Sequence, residues 1–188
     1  MNERRFIIVA EPGDVWFFAY GSLIWDPGFE PAETRPAFLR GWHRRFCVAS
    51  AIFRGTPDRP GLTLGLDRGG SCRGLALRIA AEEREPVLAY LAEREMPEEI
   101  YSCRSVSLKT EKGPVAAYTL VVNRDHPLYV PPMDLAAMAV RIARSAGSRG
   151  PNRDYLDQTV RHLGDLGIRD GLLERLLDRV DKIASRAG

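Results

Sequence analysis

Bulky apolar residues first gather at positions 15–19, Val-Trp-Phe-Phe-Ala, and that run stops at Gly21 before an Asp26-Pro27-Gly28 turn. The pattern predicts a strand followed by a tight loop. Further strands are predicted at 45–50, 62–66 and 73–79, the last two separated by Asp67-Arg68-Gly69-Gly70, which reads as a hairpin. Alternating polarity over 101–108 and the apolar segment 115–122, joined through Lys112-Gly113-Pro114, predict another pair. Between these pairs, Val87, Leu88 and Leu91 recur at helical spacing, with Pro86 in the first turn and Pro97 as the stop. The last third is predicted helical: one helix over 135–146, a second capped by Asn152 and running to about Leu163, and a third capped by Asp170. The third carries Leu172, Leu173, Leu176, Leu177, Val180 and Ile183, a stripe read as core packing. A strand-rich front and a helical back give an α+β class, with a small curled or barrel-like sheet. Neither a repeat nor a linker interrupts residues 1–188, so a single domain is expected.

Composition excludes more than it selects. The 188 residues have the apolar and charged content of an ordinary globular protein, and a net charge of +2. Lys occupies only positions 109, 112 and 182, so the other basic residues are all Arg. Their planar forks suit carboxylates and phosphates, although a general preference for Arg explains the excess equally well. No apolar run approaches the roughly 20 residues that span a bilayer. The short stretch 6–10 is cut off by Glu11 and Pro12 before it reaches the core of a signal peptide. A cytoplasmic location is expected, with no membrane partner. Cys47, Cys72 and Cys103 are odd in number and widely spaced, and read as reduced interior or half-buried residues.

Candidate chemistry begins with Glu95. It lies four residues after Leu91 and seven after Leu88, which places it on the apolar face of its helix. It is also near the helix C-terminus, where the dipole disfavours negative charge. Desolvation and dipole together move a carboxylate toward the range of a general base, unless Arg94 turns back to pair with it. A solvated acid at a frayed helix end is the commoner case of this pattern. Tyr20-Gly21-Ser22-Leu23 follows the first strand, and successive N–H groups there can form a nest for a carboxylate or an oxyanion. A plain tight turn fits the same residues.

Other constellations stop earlier. His43, His126 and His162 have no zinc-ligand spacing, so no metal is expected. Ser22 is not in a nucleophile elbow. The glycine pairs match no phosphate or dinucleotide fingerprint. Positions 40–45, rich in Arg, read as a strand with one solvated basic face more simply than as an RNA contact.

The ordered set of segments FAYGSLIW at 18–25, GWHRRFCVAS at 41–50, RGTPDRPGLTLGLDRGGSCRG at 54–74, YLAEREM at 90–96 and GPNRDYLDQTVRHLGDLGIRD at 150–170 resembles the ChaC family of γ-glutamylcyclotransferases. The resemblance implies a compact mixed β-barrel with packed helices. It also implies a reaction in which the free amine of a γ-glutamyl group attacks its own side-chain amide. Glutathione then gives 5-oxoproline and Cys-Gly, with no cofactor. It assigns Glu95, the acid of the Arg-Glu pair, as catalytic base. It assigns Tyr20, Gly21, Ser22 and Leu23 to the γ-glutamyl group, and Tyr101 and Tyr129 as substrate contacts. This chain has Glu99-Ile100 where the family commonly has two glycines, and Tyr129-Val130-Pro131-Pro132 where a Gly-Pro step is more usual. Other γ-glutamyl amino acids or amines, or a non-catalytic small-molecule or RNA-binding module, are the alternatives. The oligomeric state is left open.

Overall fold

The computed structural model describes residues 12–95 and 100–185. The apolar stretch 6–10, the helix stop at Pro97 and the acids Glu98 and Glu99 lie outside the described residues. Five strands close a barrel in the order β1-β3-β2-β4-β5: β1 (Val15–Ala19), β2 (Glu33–Ser50), β3 (Gly61–Ile79), β4 (Tyr101–Thr110) and β5 (Gly113–Val122). A one-turn 3-10 helix (Ser22–Ile24) follows β1, and α1 (Arg84–Glu95) intervenes between β3 and β4. The chain continues through α2 (Leu135–Arg144), a small hairpin of β6 (Ala146–Gly147) and β7 (Gly150–Pro151), α3 (Asn152–Asp165) and α4 (Gly171–Ala184). The expected mixed barrel with a helical last third is therefore present. Among the described residues, no helix is long and apolar enough to cross a membrane.

The residues group into two compact units. One comprises Met1–Arg45 and Leu66–His126, and the other Phe46–Gly65 and Pro127–Gly188. In the first, β1 is paired on both edges, antiparallel to β3 (Val15↔Ile79 through Ala19↔Leu75) and parallel to β5 at Phe17↔Tyr118. Its alternation therefore feeds two cores. Phe17 and Ala19 pack with Leu75, Leu77, Val87, Leu88 and Leu91, which seats α1 on the sheet. Phe18 packs with Leu39, Leu66, Ala76, Leu108 and Val121 on the opposite face.

In the second unit, α2, α3 and α4 pack on one another and bury Ile142, Leu156, Leu163, Leu173, Leu176 and Val180. Asp170 caps α4 as expected, accepting from the Leu173 N–H. Leu172, by contrast, stays exposed.

Three expectations need correction. Asp67-Arg68-Gly69-Gly70 is not a hairpin but the middle of the continuous strand β3. Gly69 (φ 100°) and Gly70 (φ 64°) take left-handed conformations that bend the strand without ending it. Arg44 and Arg45 do not lie on a solvated face, being only 5% and 6% exposed. Arg45 instead pairs with Asp67 at 2.7 Å, so the charge that reads as surface is neutralised internally. Asn152 is not a helix cap. It is buried, and its amide brackets Leu62, accepting from the Leu62 N–H at 2.6 Å and donating to the Leu62 carbonyl at 2.7 Å.

Candidate active site

The Tyr20–Gly21–Ser22–Leu23 loop begins where β1 leaves the barrel, and two features fix that exit. A side chain at Gly74 would lie 2.2 Å from the Ala19 carbonyl oxygen and 2.9 Å from the Phe18 ring, so only glycine admits the strand end so closely. The buried Arg44 donates through Nε to the Tyr20 carbonyl and through Nη2 to the Arg73 carbonyl, both at 2.6 Å. Charge-assisted bonds to two carbonyls hold the backbone at the threshold of the loop.

Beyond it the chain coils once. Ile24 N–H donates to the Gly21 carbonyl at 2.9 Å, and Trp25 and Asp26 N–H both donate to the Ser22 carbonyl. The N–H groups of Gly21, Ser22 and Leu23 precede the first of these bonds, where a helical turn has no internal acceptor for them. Leu23 is buried with Phe17, Leu88 and Leu91, so its side chain anchors the loop to α1. The Tyr20 ring packs on the other core, beside Phe18 and Leu39.

α1 brings in the acid. Val87, Leu88 and Leu91 form its buried face, and Glu95 is the last residue of the helix. The Glu95 side chain is 21% exposed and paired with Arg94, Nε to Oε1, at 2.9 Å. Arg94 thus does turn back, and the acid sits beside a positive charge as well as in a partly desolvated place. The guanidinium also donates to the Asp26 carbonyl at 2.7 Å, to the Tyr90 hydroxyl at 2.9 Å and to Ser22 Oγ at 3.4 Å. Burial works against the charge on Arg94. The Tyr90 hydroxyl and the carboxylates of Glu95 and Asp26 outweigh it and hold its pKa above the usual value. Gly28 (φ 76°) completes the corner, since a Cβ there would overlap the Tyr90 hydroxyl.

Of the residues singled out by sequence, the loop 20–23 and Glu95 are therefore brought together. Tyr101 opens β4, is half-buried and packs on the core that carries Leu23 and Leu91. Tyr129 belongs to the second unit, where it forms an isolated antiparallel bridge with Val48. Arg44, Tyr90 and Asp26 had no signal of their own, because their roles are bonds to backbone and to Arg94 that no local spacing encodes. Among the described residues, no group of three His, Cys, Asp or Glu is placed to hold a metal.

Cys47 and Cys72 are buried, and Cys103 is partly so. Burial pushes the Cys103 thiol up to about 11, with Arg104 opposing. It remains a neutral thiol through physiological pH and turns into thiolate only as pH rises toward 11. Alkylation of the Cys103 peptide by iodoacetamide, followed by mass spectrometry, is expected to accelerate about tenfold per pH unit from 7.5 to 9.5. A plateau near pH 9 would contradict this.

Comparison with known proteins gives the family and the fold. The family model described as ChaC-like protein matches residues 15–183. The glutathione-specific gamma-glutamylcyclotransferase of Escherichia coli is 36% identical over 174 residues, covering 92% of this chain and 75% of that protein. Gamma-glutamylcyclotransferase 2-3 of Arabidopsis thaliana is 34% identical over 182 residues, 92% of each chain. The crystal structure of the yeast cyclotransferase specific to glutathione superposes with a TM-score of 0.82 at 24% identity, covering 90% of this chain and 96% of that one, and so shares the fold. The match across both units, together with these relatives, establishes that the chain belongs to the ChaC-like protein family.

Proposed function

We propose that this chain is a glutathione-specific γ-glutamylcyclotransferase, releasing 5-oxoproline and Cys-Gly from glutathione, and that Glu95 is its acid–base residue. The observation that carries the reading is the shared guanidinium. Arg94 touches both the Glu95 carboxylate and Ser22 of the loop, so a proton acceptor and a set of N–H donors flank one place.

The reaction asks for little more. The γ-glutamyl α-amine must be folded back on its own side-chain amide carbonyl. Holding that five-membered geometry supplies much of the acceleration. Glu95 takes a proton from the α-ammonium group, and the freed amine attacks the carbonyl carbon. The oxyanion that develops is met by the N–H groups of Gly21, Ser22 and Leu23. The amide C–N bond then breaks. Two protons leave the attacking nitrogen and two arrive on the departing one, so the carboxylate acts first as base and then as acid, and ends as it began. No water is consumed and no cofactor is required. Tyr101 and Tyr129 are assigned as hydroxyl contacts to the substrate. The substrate is a small molecule, the setting is cytoplasmic, and no nucleic-acid or membrane partner is invoked.

Pure protein incubated with reduced glutathione should yield 5-oxoproline and Cys-Gly in equal amounts by liquid chromatography. Free glutamate in place of 5-oxoproline would replace cyclisation with hydrolysis. A higher kcat/KM for γ-Glu-Ala than for glutathione would move the specificity to γ-glutamyl amino acids.

A further inference from the structure

Arg94 makes more contacts at the candidate site than the proposed chemistry requires. Its Nε faces Glu95 Oε1 at 2.9 Å. Its Nη1 donates to the Asp26 carbonyl and the Tyr90 hydroxyl at 2.7 and 2.9 Å. Its Nη2 reaches Ser22 Oγ at 3.4 Å and Asp26 Oδ2 at 3.7 Å. All three nitrogens of one planar group are thus occupied, by Glu95, by the Asp26 turn with Tyr90, and by Ser22, and the side chain is only 21% exposed. Its partners lie up to 72 residues away from it in sequence.

We propose that Arg94 is a positioning residue that fixes the Glu95 carboxylate and the Ser22 loop at one spacing, so that substrate held by the loop lies within reach of the base. This rests on the reading of Glu95 and the loop given above. The physical reason is the fork. A guanidinium offers five N–H groups in fixed directions, whereas an ammonium is a compact point charge that cannot face Glu95, the Asp26 carbonyl and Ser22 together. Ring closure and proton transfer tolerate little error, a misplacement of about 1 Å costing about 10²-fold in rate. A residue that only stabilised the 26–28 turn would affect melting temperature and leave kcat of the folded fraction unchanged.

The test compares wild type, Arg94→Lys, Arg94→Ala and Glu95→Gln with reduced glutathione, each with a melting curve. Arg94→Lys keeps the charge and should stay folded, with kcat lower by about 10²-fold and KM raised because the loop has lost its tie. Added guanidinium ion should restore activity to Arg94→Ala at least tenfold, and should do nothing for Glu95→Gln. Wild-type kcat in Arg94→Lys, or loss in Arg94→Ala that follows the unfolded fraction and ignores guanidinium, overturns the proposal.

Should wild type itself form no 5-oxoproline, the assigned function fails while the coupling stays measurable by backbone amide NMR without substrate. Glu95→Gln should then shift the amide signals of Gly21, Ser22 and Leu23 in the wild-type background and leave them unmoved in the Arg94→Lys background. Equal shifts in both backgrounds also overturn it.

Discussion

Replacing Glu95 with glutamine is expected to lower kcat for 5-oxoproline formation by about 10²–10⁴-fold, the range that a positioned acid–base group contributes. KM should change little, because the variant retains the shape and one carbonyl oxygen able to accept from Arg94 Nε, now at 2.9 Å from Oε1. What glutamine cannot do is take up a proton from the ammonium group. The measurement is steady-state release of 5-oxoproline at saturating glutathione, alongside thermal unfolding to verify that the variant is folded. A folded variant with wild-type kcat would remove Glu95 from the mechanism.

The second large effect concerns stability. Asp67 is 1% exposed and receives two arginines. Oδ2 accepts from Arg45 Nη2 at 2.7 Å and Nε at 3.1 Å, while Oδ1 accepts from Arg124 Nε at 2.6 Å and from the Arg68 N–H at 2.8 Å. Asp67→Asn removes the countercharge and turns an amide N–H₂ toward guanidinium donors. Breaking a buried pair from one side costs about 3–5 kcal/mol, because the remaining charge stays buried. For a chain of this size that corresponds to a fall in Tm of roughly 6–20 °C. Arg124 is nearly half exposed and can turn to water, whereas Arg45 cannot. Adding Arg45→Met should therefore recover most of the loss, since no buried guanidinium is then left without its countercharge. A double variant as unstable as the two single losses added together would show that the ion pair is not the cause.

Local pattern was enough wherever an element is governed by its own periodicity. Val87, Leu88 and Leu91 delivered α1, and the alternation at 101–108 with Gly113 delivered the β4–β5 hairpin, whose register runs from Tyr101↔Val122 to Thr110↔Gly113. Pattern failed where a distant partner reverses the usual meaning of a residue. Arg44 and Arg45 look solvent-facing until the Tyr20 carbonyl and Asp67 are brought to them. Gly69 and Gly70 look like a turn, yet β3 passes through them and continues to Ile79. β2 extends back to Glu33, through polar positions and Pro36 that no strand template favours.

At the site, helical spacing placed Glu95 next to the apolar face and chain punctuation placed the loop after β1. Periodicity cannot reveal that the two meet, because Arg94 joins residues 22 and 95 through contacts that no local spacing encodes. The choice of reaction came from the family resemblance, which ordered motifs carry and spacing alone does not.

The Asn152 bracket on Leu62 has a consequence for how fast the fold forms and how long it lasts. It joins residues 90 positions apart, and neighbouring ties from Arg141 to the Pro60 carbonyl and from Arg54 to the Arg149 carbonyl span 81 and 95. Closing loops of that length costs more entropy than closing a hairpin such as β4–β5. Such contacts are therefore expected to be absent from the folding transition state and present only after it. Interactions of that kind do little to hasten folding and chiefly slow unfolding. In this chain, loss of the Asn152 amide is expected to speed unfolding of the second unit more than it slows its assembly.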